Sequence, residues 1–141
     1  MKIFGVGIDL LNSDRVARLY SDYGSRLLQK VLSPDEMALV SREKSVVRKT
    51  INFVAKRFSA KEALLKAMGI GMGRGLGLTD VSVLSGNFGQ PTISLSEKSE
   101  NFLQKFYDMD IENLKFNISI TDEVGLINSI VIISAGGGSD R

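Results

Sequence analysis

The run Val46-Val47-Arg48-Lys49-Thr50-Ile51-Asn52-Phe53-Val54-Ala55-Lys56-Arg57-Phe58-Ser59-Ala60-Lys61-Glu62-Ala63-Leu64-Leu65-Lys66-Ala67-Met68 decides how this chain is organised. Ile51, Val54, Ala55, Phe58 and Leu65 recur at helical spacing, which predicts one long helix from about Val46 to Met68. Gly69 then serves as the C-cap, because glycine reaches the left-handed conformation that closes a helix. One position on the apolar face is not apolar. Glu62 lies four residues after Phe58 and three before Leu65, and glutamate is almost never buried without a partner. The residue pattern leaves three readings open: a surface pair with Lys66 at the i, i+4 spacing, a capping box closed on Ser59, or a metal ligand.

On the N-terminal side of that helix, Ile3 to Leu11 reads as a strand. Val6, Ile8 and Leu10 share one face, while Gly5, Gly7 and Asp9 share the other. Two glycines beside an acid allow something to approach that backbone closely, although a strand ending at an aspartate turn accounts for the same residues. Ser13 is the expected N-cap of a helix reaching about Gln29, with Gly24 as a possible break. Arg15, Arg18, Arg26 and Lys30 form a basic stripe interrupted by Asp22. Such a stripe suits an acidic protein partner or is a plain solvated face. Ser33-Pro34-Asp35-Glu36 is a strong helix start, with a serine cap, a proline at the first position and a capping-box glutamate; that helix is expected to run to about Arg42.

On the C-terminal side, residues 69–77 place glycine at every second position. The run fits neither the P-loop nor the dinucleotide fingerprint. It is either a flexible linker or a turn whose amides reach a phosphate. Asp80 to Leu84 and Thr92 to Leu95 read as a hairpin around Gly86-Asn87-Phe88-Gly89. Ser96 caps a helix to about Tyr107, and Leu114 to Ile120 with Leu126 to Ile133 makes a last hairpin. Residues 1–135 are expected to form one α+β domain with a mostly antiparallel sheet and the long helix at its centre, and residues 136–141 a disordered tail.

Composition removes whole classes of chemistry. Among 141 residues there is no cysteine and no histidine. Disulfides, zinc knuckles, thiol catalysis, Ser-His-Asp triads and histidine bases are therefore excluded. Any metal site must use oxygen ligands, which favours Mg²⁺, Ca²⁺ or Mn²⁺. A general base must be a carboxylate, a lysine or a metal-bound water. The hydrophobic fraction of 43% supports a core without staples, and the net charge of +2 does not predict nucleic-acid binding. The N-terminus does not read as a signal peptide and no apolar stretch approaches membrane-spanning length, so a cytoplasmic protein is expected.

The segments Gly7-Ile8-Asp9-Leu10 and Arg57-Phe58-Ser59-Ala60-Lys61-Glu62-Ala63-Leu64-Leu65-Lys66-Ala67 resemble the two signature motifs of the holo-acyl-carrier-protein synthases. Tyr23-Gly24, Leu32-Ser33-Pro34-Asp35-Glu36, Gly69-Ile70-Gly71 and Gly89-Gln90-Pro91 also stand where that family has them, so the resemblance covers nearly the whole chain. It implies the 4′-phosphopantetheinyl transferase fold, and transfer of 4′-phosphopantetheine from coenzyme A to a serine of apo-acyl carrier protein in support of fatty acid biosynthesis. Asp9 and Glu62 would hold Mg²⁺, and Lys66 would contact the phosphate or assist proton transfer. Arg57, Lys61, Pro91 and the turn at Gly69 and Gly71 would seat the nucleotide portion. The acidic carrier would dock on the first helix at Arg15, Arg18 and Arg26, and the enzyme would be a homotrimer with its active site between subunits. One departure stands out. Many family members carry Ser-His-Thr in the penultimate strand, where this chain has Ser119-Ile120-Thr121. A binding module that had lost its chemistry would be expected to lack Asp9, Glu62 or Lys66, and all three are present.

Overall fold

The structure, a computed structural model, describes residues 1–40, 46–71 and 73–136. Strand β1 (Lys2–Asn12) leads into three short helices, α1 (Ser13–Tyr23), α2 (Ser25–Val31) and α3 (Pro34–Val40). The long helix α4 (Val47–Met68) follows, then the hairpin β2 (Val81–Ser85) and β3 (Pro91–Leu95), helix α5 (Glu97–Tyr107), and the hairpin β4 (Leu114–Glu123) and β5 (Leu126–Ala135). A three-stranded sheet has the order β1-β5-β4 and β2-β3 is a separate ribbon; every pairing is antiparallel. The α+β class, the antiparallel sheets and the long helix are those expected.

Local details differ where a single residue decides them. The first helix is capped by Asn12, not Ser13: the Asn12 side-chain oxygen accepts the Asp14 N–H at 3.0 Å. Gly24, at φ 55°, separates α1 from α2. The last hairpin is longer than its apolar run, because Val124 and Gly125 make a tight turn with positive φ at both residues, the geometry that matches strand twist. Helix α3 ends at Val40, and the expected extension to Arg42 lies outside the described residues. So do residues 137–141 of the expected tail; Gly136 is tied by its N–H to the Asn113 carbonyl at 2.8 Å.

Helix α4 lies on β1 and β5, and the two glycines of β1 make that possible. A Cβ on Gly5 would overlap the Ala67 carbonyl, and one on Gly7 would overlap the Ala63 carbonyl. The object that approaches this backbone is therefore the helix itself. Leu64, Met68, Leu103, Val131 and Ile133 pack at one end of the helix, and Leu11, Leu28, Val54, Ala55 and Ile127 at the other. Ser59 and Ser129, both buried, meet by their hydroxyls at 2.8 Å beneath the middle of the helix, so Ser59 does not cap anything. With the glycine face turned to α4, the apolar face of β1 is left bare: Val6, Ile8 and Leu10 are 53%, 55% and 67% exposed.

Candidate active site

The register places Asp9 opposite Ser129, and Ser129 opposite Ile120. Ser129 lies under α4, so Asp9 and Ile120 emerge on opposite flanks of the helix. Two stripes of α4 meet them. Glu62 and Lys66, four residues apart, run along the Asp9 flank; Arg57 and Lys61, also four apart, run along the other.

On the first flank the Lys66 ammonium donates to the Ile8 carbonyl at 3.1 Å and to Asp9 Oδ1 at 3.3 Å. Lysine 66 is thus drawn to Asp9 rather than into a simple pair with Glu62. Glu62 Oε1 is buried and receives no hydrogen bond. Burial, with the Asp9 charge beside it, raises the Glu62 carboxyl above its ordinary value, while Lys66 and Arg15 pull the other way. Two carboxylates, one with an orphaned oxygen, form an incomplete set of oxygen ligands. Among the described residues no group of three or more acidic, histidine or cysteine side chains could hold a metal. The pair fits a cation such as Mg²⁺, which takes one or two protein carboxylates and fills its remaining positions with water and phosphate oxygens. Arg15 and Arg18 stand exposed on α1 and Arg26 on α2, and Arg15 is near enough to act on Glu62.

On the second flank Lys61 and Gly69 are engaged within the fold. Lys61 is 2% exposed; its ammonium donates to Glu36 Oε1 at 2.5 Å and to the Val31 carbonyl at 2.6 Å. Burial lowers its pKa, with Glu36 opposing the shift. A lysine enclosed in this way is a core ion pair. Gly69 closes α4 in the left-handed conformation, and its N–H is turned back to the Lys66 carbonyl at 3.1 Å, as the Ile70 N–H is to Leu65. Its amide is therefore spent on the helix end. Gly71 stands in open space. Arg57 and Pro91 do come together. They line one cleft of about 190 Å³ with Lys56, Val83, Leu84, Ser85, Gly89 and Ile120. The Arg57 guanidinium lies 3.6 Å from the centre of the Phe53 ring.

Glu36 is the residue whose place the sequence did not reveal. The capping box forms, with the Ser33 N–H donating to Glu36 Oε1 at 2.9 Å and the Glu36 N–H to Ser33 Oγ at 3.2 Å. Yet Glu36 is fully buried and also receives Lys61 and the Val83 N–H at 2.9 Å. The available signal was Lys61 itself, a cation one residue before Glu62 and one turn after Arg57, which needs a carboxylate if buried.

An α+β fold with a helix seated on the β1 glycines thus brings two carboxylates, Asp9 and Glu62, together with the Lys66 ammonium on one flank. The chain belongs to the 4′-phosphopantetheinyl transferase superfamily, whose family model matches residues 5–121. It is 35% identical over 127 residues to the holo-[acyl-carrier-protein] synthase of Wigglesworthia glossinidia brevipalpis, covering 87% of this chain and 86% of that one. The enzyme of the same name from Nitrobacter winogradskyi is also 35% identical, over 133 residues, covering 94% and 95%. Among solved structures, holo-ACP-synthase from Plasmodium yoelii superposes with a TM-score of 0.80 at 26% identity, covering 96% of this chain and 97% of that one. The Helicobacter pylori holo-[acyl-carrier-protein] synthase, solved in complex with coenzyme A, gives 0.72 at 25% identity, covering 92% and 99%.

Proposed function

We infer that this chain is a holo-acyl-carrier-protein synthase, transferring 4′-phosphopantetheine from coenzyme A to a serine of an apo-acyl carrier protein. The serine oxygen bonds to the phosphorus bearing the pantetheine arm, the pyrophosphate bridge breaks, and adenosine 3′,5′-bisphosphate leaves. The observation that carries this reading is the orphaned Glu62 oxygen beside Asp9 and Lys66, in a chain without histidine or cysteine. Asp9 and Glu62 would hold Mg²⁺, which when bound neutralises phosphate charge. Lys66, half exposed and anchored at Ile8 and Asp9, brings a positive charge to the phosphate or leaving group. The serine proton must go to water, a carboxylate or Lys66, because the strand position that often carries histidine in the family is Ile120.

The nucleotide portion suits the Arg57–Pro91 cleft, helped by the open turn at Gly71. That cleft is smaller than the roughly 300–1,000 Å³ of usual ligand pockets, and it lies across α4 from Asp9. A neighbouring copy supplying the opposite flank would complete it. The bare Val6-Ile8-Leu10 face, continued by Ile130 and Ile132, gives such a neighbour an apolar surface; we read the assembly as a homotrimer. The exposed Arg15, Arg18 and Arg26 suit an acidic carrier. No helix among the described residues is long and apolar enough to cross a membrane, and a cytoplasmic role in fatty acid biosynthesis fits this reading. Incubating the protein with coenzyme A, Mg²⁺ and an apo-acyl carrier protein should add one phosphopantetheine to the carrier mass. A carrier mass that never changes over a range of metal and salt conditions overturns the reading.

A further inference from the structure

Two walls of the Arg57 cleft, the Arg57 side chain on α4 and the β2 backbone at Val83, meet one carboxylate that does not line the cleft. Glu36 divides its two oxygens between separate tasks. Oε1 serves the fold: it accepts the Ser33 N–H of the capping box and the Lys61 ammonium. Oε2 is turned to the cleft walls: it accepts the Val83 N–H at 2.9 Å and stands 3.8 Å from Arg57 Nε. The guanidinium is thereby held between a carboxylate and the Phe53 ring. The Ser33 and Ser82 hydroxyls, 2.6 Å apart, tie α3 to β2 a second time and keep the carboxylate in line with both walls.

A capping box needs only one oxygen, and the Lys61 ammonium donates to Oε1 and the Val31 carbonyl. Oε2 is not required by either. We propose that Glu36 is a positioning residue for the donor substrate: through Val83 and Arg57 it sets the wall spacing and guanidinium orientation of the nucleotide cleft, and so governs affinity for coenzyme A without touching it. The inference rests on reading that cleft as the nucleotide site.

Removing Glu36 alone strands the Lys61 ammonium in the core, so the test uses Glu36→Gln/Lys61→Met, which replaces the buried ion pair by groups of similar volume. The double variant should melt as a folded protein and raise the KM for coenzyme A by about tenfold, the scale of one lost charge-assisted contact, with kcat little changed. Lys61→Met, which keeps the carboxylate, should move that KM far less. Arg57→Ala should raise it too, and adding Arg57→Ala to the double variant should add less than it adds to wild type, because part of the Glu36 effect acts through Arg57. If the double variant does not fold, Glu36→Asp keeps the charge but withdraws it by one methylene, and equilibrium binding should show weakened coenzyme A affinity. A folded double variant, or folded Glu36→Asp, with wild-type coenzyme A affinity overturns the proposal while leaving the cleft reading intact. Arg57→Ala with unchanged KM for coenzyme A overturns both.

Discussion

The two flanks of α4 carry the same chemistry and use it in opposite ways. Each joins a lysine of the helix to a carboxylate from another element: Lys61 to Glu36 on one side, Lys66 to Asp9 on the other. On the Lys61 side both carboxylate oxygens receive donors, and the ammonium reaches a second acceptor, the Val31 carbonyl. On the Lys66 side the lysine is half exposed and Glu62 Oε1, though buried, receives nothing. A buried polar group without a partner costs free energy, so a fold retains it only where something else compensates. The satisfied cluster is a fastening between α3, α4 and β2. The unsatisfied one leaves a carboxylate oxygen without a donor, which under the proposed function is where a cation would bind.

The largest expected effect follows from emptying the open side. Asp9→Ala and Glu62→Ala should each lower the transfer rate by more than about 100-fold, since even outer partners of metal ligands cost about 10–100-fold. Circular dichroism and the melting curve should stay close to wild type. Near-wild-type turnover in either variant would erase the distinction between the flanks.

The reverse experiment breaks the fastening. Glu36→Ala leaves Lys61 buried without its counter-charge and the Ser33 and Val83 amides without an acceptor. Breaking a buried ion pair by removing one partner costs about 3–5 kcal/mol, a large part of a typical domain's stability. Denaturant titration should therefore show a folded population sharply reduced relative to Asp9→Ala. Equal midpoints for the two variants would contradict the satisfied and unsatisfied assignments.

How far the sequence announced this contrast depends on the range of the interactions. The strands, the break at Gly24 and the capping box at Ser33 are local patterns, and they appear where expected. Glu62 was visible because a carboxylate interrupts an apolar stripe. Lys61 interrupts the neighbouring stripe in the same way, but its meaning depends on Glu36, 25 residues distant, and on Val83, 47 residues beyond Glu36. No local pattern carries that information, and the capping box supplied a sufficient short-range reason for Glu36. The glycines of β1 signalled a close approach without saying what approached; Ala63 and Ala67 supply the answer only once the helix is laid on the strand. The bare apolar face of β1 was likewise hidden, because alternation gives two faces and not which one the helix covers.

A smaller effect belongs to the rim of the open side. Arg15→Glu, Arg18→Glu and Arg26→Glu together should raise the KM for the carrier protein much more than that for coenzyme A, because rim charges act mainly through encounter rate. With a Debye length of about 8 Å at physiological ionic strength, added salt should weaken wild-type carrier binding and narrow the gap between wild type and variant. Equal carrier KM values at low salt would make the stripe an ordinary solvated face.

The smallest effect is also the most specific to the unsatisfied side. The Glu62 carboxyl titrates above its ordinary value of 4.5, chiefly because burial disfavours its charge. Between that value and its raised one, the folded chain binds more protons than the unfolded chain. Stability from this group therefore falls as pH rises through the window, and the penalty is complete above it. Glu62→Gln removes the titration. In chelator, its melting temperature should exceed that of wild type at neutral pH, and the gap should close as pH falls toward 4.5. Adding Mg²⁺ should raise the wild-type melting temperature more than that of the variant, since a ligand stabilises only the state that binds it. At Glu36 the same substitution should destabilise the fold at neutral pH, because that carboxylate is already hydrogen-bonded at both oxygens. A Glu62→Gln difference that is flat with pH, together with equal Mg²⁺ stabilisation of both proteins, would remove Glu62 from the open site.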